Sequence, residues 1–141
     1  MKTLIIIFSA CITFHSSANG ELNSSESLKF DNAVNKLKQL AAVNFSDDIN
    51  SSISSSSECT LNIYSDKGSK FYGAVSDINP NQILKMKAGP NYIAMMLDSN
   101  IVFDIHRGRE DKTNRLVLWL ENRNAVTQVK RLLQTTQYLC R

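Results

Sequence analysis

A chain of 141 residues with 16 Lys or Arg against 13 Asp or Glu is long enough for one domain with its own hydrophobic core. Its formal charge of +3 is too small to indicate a nucleic-acid or membrane-surface binder. The distribution says more: from Asn19 to Asp104 there are seven basic residues against ten acidic ones, and from Ile105 to Arg141 eight against three.

The chain begins "MKTLIIIFSACITFHSSANG", in which one lysine precedes an apolar run from Leu4 to Phe14 and small polar residues follow. This is the layout of a cleavable secretory signal over residues 1–18, leaving a chain that starts at Asn19 or Glu21. A membrane span needs about 20 apolar residues, roughly twice this run, so no transmembrane segment is expected after cleavage. Cys11 is not expected to be acylated: Phe8 stands where a lipoprotein signal carries a leucine-like residue, and too few apolar residues precede it. The reading is therefore a periplasmic or secreted protein. Two cysteines then remain, Cys59 and Cys140, and in an oxidising compartment an even pair reads as a disulfide. Closing so long a loop is worth about 4 kcal/mol in the chain-entropy model.

Residues 19–43 hold Leu28, Phe30, Val34, Leu37, Leu40 and Ala41 at helical spacing, with Asn23 or Ser24 as cap and Glu26 in the first turn. An amphipathic helix is expected there. Residues 44–57, "NFSDDINSSISSSS", are nearly all small or polar and read as a mobile Ser-rich linker. Asn23, Asn44 and Asn50 each begin an N-x-Ser sequon, matches that so Asn- and Ser-rich a region also produces by chance.

Residues 58–141 read as an α+β core domain. "CTLNIYS", "KFYGAVS", "NYIAMML", "NIVFDIH" and "RLVLWLE" predict a five-stranded, mainly antiparallel sheet in meander order. "DKGS" and "DSN" read as hairpin turns, "DINPNQILKMKAGP" as a helical turn or an extra strand, and "HRGREDKTNR", residues 106–115, as a charged hairpin tip. In "LVLWLE" both faces are apolar, which predicts a strand that is central or covered on both sides. Met95 and Met96 are expected to point to opposite faces, one of them into the core. A C-terminal helix follows, with Ala125, Val126, Val129, Leu132, Leu133, Thr136 and Leu139 or Cys140 inward and Asn122 or Asn124 as cap.

The search for chemistry returns little. His106 is the only imidazole left after the signal, no GxSxG, HExxH, CxxC or phosphate loop occurs, and two cysteines with one histidine make no zinc set, so no catalytic residue, metal or cofactor is expected. Paired carboxylates among Asp98, Asp104, Glu110, Asp111 and Glu121 are the remaining enzymatic option. Arginine forks suit acidic partners, and Arg107, Arg109, Lys112 and Arg115 of the hairpin with Arg123, Lys130 and Arg131 of the last helix form the expected partner-binding set. Basic residues are not interleaved with aromatics, so nucleic acid is not expected. The leading expectation is a non-enzymatic exported binding protein, of inhibitor or immunity type, that occludes a protein with an acidic surface. The alternatives are an accessory subunit of an envelope or secretion assembly docking through the N-terminal helix, and a small hydrolase acting through Asp104 or Glu121.

Overall fold

The computed structural model describes residues 21–45, 49–68, 71–106 and 109–141. The expected signal peptide lies outside the described residues, as does Arg107.

Helix α1 (Ser24–Ala41) starts on a capping box, in which the Asn23 side chain accepts from the Ser25 and Glu26 amides while Glu26 accepts the Asn23 amide. Its stripe of Phe30, Ala33, Val34, Leu37 and Ala41 is buried. Strands β1 (Val43–Phe45) and β2 (Ile49–Ser54) follow, where a mobile linker was expected. The linker assignment fails because Ile49, Ser51 and Ile53 alternate inward, and β2 pairs with β3 (Leu61–Lys67) through six positions. Ser51 tolerates burial because its hydroxyl bonds that of Ser65, at 3.1 Å.

Gly68, at φ 57°, follows the end of β3, and β4 (Phe71–Ile78) pairs antiparallel with that strand; the last residue of "DKGS" lies outside the described residues. A 3-10 turn at Pro80–Gln82 leads to β5 (Ile83–Ala88), so "DINPNQILKMKAGP" holds both a helical turn and a strand. Strand β5 pairs with β6 (Tyr92–Leu97). The chain then runs through β7 (Val102–His106), β8 (Arg109–Thr113) and β9 (Arg115–Trp119) to α2 (Arg123–Leu139), capped by Asn122.

The five expected strands are all present, and β1, β2, β5 and β8 add to them. Every pairing is antiparallel, in a six-stranded sheet β1-β2-β3-β4-β7-β8 and a three-stranded sheet β5-β6-β9. The meander order fails at three places, the first where the chain leaves β4 of the large sheet for β5 of the small one. "DSN" is no hairpin turn but a crossover from β6 in the small sheet to β7 in the large one, and Asn114 carries the chain back. Backbone bonds from the Leu97 amide to the Asn114 carbonyl and from the Asp98 amide to the Gln82 carbonyl hold the crossings together.

Strand β9 ends the small sheet yet is not free on that side. It lies across the inner face of β3 and β4, where the Trp119 amide donates to Ser65 Oγ at 3.0 Å. Gly73 lies beneath it, and a Cβ there would meet the Leu116 Cδ1 methyl unless that side chain shifted. Ile93, Met95, Leu97, Leu116, Leu118 and Leu120 form the buried face of the small sheet, so Met95 is the core methionine and Met96 is half-buried on the other face. Helix α2 buries Val126, Val129 and Leu133 against this layer and α1. The Cys59–Cys140 disulfide, with Cα atoms 5.5 Å apart, ties the start of β3 to the end of α2.

Candidate partner-binding face

The stretch 106–115 is mostly strand. His106 pairs with Arg109, so the pairing of β7 with β8 extends into the stretch that was expected to be a ten-residue tip. Charged residues at four consecutive positions, Arg109 to Lys112, suit the outermost strand of the large sheet, where they discourage pairing with another chain. Asp104 stands directly opposite Asp111, which makes them the one candidate carboxylate pair brought together by cross-strand register among the described residues; Asp98 lies in the crossover and Glu121 before α2.

Six of the seven expected binding residues are described, and they are spread over three elements. Arg107 is outside the described residues, and of Arg109 only its backbone place in β8 is described. Lys112 is exposed, with Nζ 5.5 Å from the Phe103 ring centroid on the outer face of the large sheet. Arg123 and Arg131 are exposed on α2, and Lys130 is half-buried there. Helix α2 packs on α1, the 3-10 turn, β5 and β6, whereas the hairpin packs on β4. Arg115, at the start of β9, sits on a different surface again.

That surface is the face of the small sheet turned away from the core. Cross-strand register fixes it in three rows: Lys85, Met96 and Arg115; Lys87, Ala94 and Val117; Tyr92 and Trp119. Lys85, Lys87 and Arg115 are exposed, and no carboxylate occupies any of these positions. At the aromatic end, Lys67 Nζ lies 3.7 Å from the centroid of the Trp119 ring, a close cation–π contact. Phe71, 48 % exposed, and Tyr92 pack on the same ring with centroids 5.9 and 5.3 Å away. The Tyr92 ring folds over Gly89, where a Cβ would collide with it. The indole Nε1 of Trp119 is buried and has no hydrogen-bond partner among the described residues. The result is a rigid aromatic corner beside a purely cationic field.

Sequence reasoning found Arg115 and missed Lys67, Lys85, Lys87 and Trp119. The signal was the alternation of "LKMKA", two lysines on one side of a strand. It could not be joined to Arg115 before the β5-β6-β9 order was known.

Two other surfaces were open to the same question. The outer face of the large sheet carries Ser52, Tyr64, Ala74, Phe103 and Lys112 in one cross-strand row. Tyr72 meets Tyr64 edge-on, with centroids 5.4 Å apart. Burial pushes the Tyr64 phenol above its ordinary pKa, with the charge of Asp66 acting in the same direction. A groove of about 350 Å³ between α1 and α2 is lined by Lys29, Lys36, Leu132 and Tyr138 among others.

Among the described residues, no group of three or more His, Cys, Asp or Glu could hold a metal ion, and no helix is long and apolar enough to cross a membrane. Comparison with known proteins finds no matching family model, curated protein or solved structure.

Proposed function

We propose that this protein is an exported, non-enzymatic binding protein that takes an acidic protein partner on the open face of the β5-β6-β9 sheet and acts by occluding it. The observation that carries the reading is the cross-strand register that puts Lys85, Lys87 and Arg115 on one carboxylate-free face. A field of one sign accelerates encounter with an opposite surface and rejects like-charged ones. The aromatic corner at Trp119 supplies the rigid apolar contact on which affinity depends. The signal-like N-terminus and the disulfide support export. The inhibitor or immunity role follows from occlusion. Docking through the N-terminal helix is less well supported, because the apolar stripe of α1 already lies in the core.

Affinity capture from native envelope extract tests this with three baits: the unaltered protein, Lys85→Glu/Lys87→Glu/Arg115→Glu, and Arg123→Glu/Lys130→Glu/Arg131→Glu. An acidic partner retained by the first and third baits, lost by the second and released by about 0.5 M salt is the expected result. Equal capture by all three, or loss confined to the α2 variant, would overturn the assignment of the face.

A further inference from the structure

We infer that the free edge of β5 accepts an extended acidic segment of the partner by strand addition, with two carboxylates opposite Lys85 and Lys87. This rests on the proposed function and names how the partner is held.

The small sheet has one open side. At β9 the Trp119 amide is taken by Ser65, whereas β5 ends the strand order and, among the described residues, nothing pairs beyond it. Which backbone groups face that edge follows from the ladder. The Gly89 amide bonds the Tyr92 carbonyl at 2.8 Å, and counting back two residues at a time makes Lys87 and Lys85 hydrogen-bonded partners of β6. The amides and carbonyls of Met86 and Ala88 therefore point outward. They are the template for another strand. The Gln137 side chain holds the Ile83 carbonyl at 2.7 Å, so α2 occupies the beginning of β5 and leaves its later part open.

The same alternation sets the chemistry of the added strand. Lys85 and Lys87 take non-hydrogen-bonded positions toward it, where facing Cα atoms approach to about 4.5 Å and side chains are closest. Residues opposite them are two apart, roughly 6.8 Å along the strand, and lie on the same carboxylate-free face of the sheet, next to the two lysines and on the far side of β5 from Arg115. Acidic side chains satisfy those positions. The residue between them faces Met86, a half-buried side chain packed on the rim of the core, and should be apolar. The pattern recognised is acidic, apolar, acidic.

A second copy of this chain fits badly. Antiparallel pairing of two β5 edges about Met86 would place Lys85 of one copy against Lys87 of the other, and like charges directly opposite are destabilising. The lysines disfavour self-pairing in that register and favour an acidic strand.

The test uses the disulfide-intact protein and three fluorescent peptides: alternating valine and glutamate, the same composition with all glutamates together, and the alternating peptide with N-methylated valines. The alternating peptide should bind at least about tenfold more tightly than either control, a difference of about 1.4 kcal/mol. It should protect the Met86 and Ala88 amides from exchange and lose binding to Lys85→Glu/Lys87→Glu, whose unchanged circular dichroism shows that it folds. Equal binding of all three peptides, still abolished by Lys85→Glu/Lys87→Glu, would overturn strand addition and leave the cationic face as the binding site. Binding of the alternating peptide that survives Lys85→Glu/Lys87→Glu would overturn both.

Discussion

At Ser65 one buried hydroxyl joins two sheets: it accepts the Trp119 amide from β9 at 3.0 Å and pairs with Ser51 Oγ of β2 at 3.1 Å. Ser65 is 1 % exposed, so water cannot replace either bond when the hydroxyl is removed. Ser65→Ala leaves the Trp119 amide and the Ser51 hydroxyl both unpaired and is expected to cost about 1–3 kcal/mol. Ser51→Ala should cost less, because Ser65 still accepts the amide. The double variant should fall short of the sum, since both changes break the same bond. Urea unfolding of the three variants with unchanged slope checks this, and strict additivity would mean that the two hydroxyls do not act as a pair. No sequence pattern announced the pair: Ser51 fell in the stretch read as a Ser-rich linker, Ser65 ended a predicted strand, and their partnership depends on the β2–β3 register.

Among the elements, those legible in the sequence carry their own local signal. The two helices have periodic apolar stripes and Asn caps, and the strands between Leu61 and Trp119 that were expected are rich in β-branched and aromatic residues. Strand β2 has only Ile49 and Ile53, and composition alone classed it with disordered segments. It is ordered by tertiary context: β3 satisfies its backbone, and α1 lies against it. The hairpin strand β8 was hidden in the same way by its charges, which belong to an edge. The candidate face was less legible still, since it combines β5, β6 and β9 with Lys67 from the other sheet. The integration of α1 and β2 changes what a truncation does. Removing residues 19–57 would expose the core surfaces that Phe30, Leu37 and Ile53 cover, so the shortened chain should lose cooperative unfolding and bind a hydrophobic dye. Leu37→Ala, at a fully buried position, should cost about 2–5 kcal/mol in the full chain. A truncated chain that still unfolds cooperatively, at a denaturant midpoint near that of the whole protein, would show that α1 and β2 are accessory to the core.

For the whole molecule, the Cys59–Cys140 bridge closes a separation of 81 residues that contains seven of the nine strands and α2. Helix α1 and strands β1 and β2 lie outside that loop and are joined to it by packing and pairing. Native contacts already hold the end of α2 without the bridge: Asn81 Nδ2 donates to the Cys140 carbonyl at 2.7 Å, and Gln137 Nε2 donates to the Pro80 and Ile83 carbonyls at 3.1 and 2.7 Å. The disulfide therefore acts chiefly on the unfolded chain, where it removes conformational freedom. Cys59→Ala/Cys140→Ala is expected to keep the native structure and lose roughly 4 kcal/mol of stability, a large part of what a domain of this size possesses. Its urea slope should rise, because an unfolded chain without the cross-link exposes more surface. Amide exchange separates this account from a local clamp. With the chain-entropy mechanism, protection falls together across β3, β6 and α2 by the same free energy as the global stability. If exchange accelerates only in the last turn of α2 and at the start of β3, while the strands keep their protection, the bridge is a staple on one corner and not what keeps the domain folded.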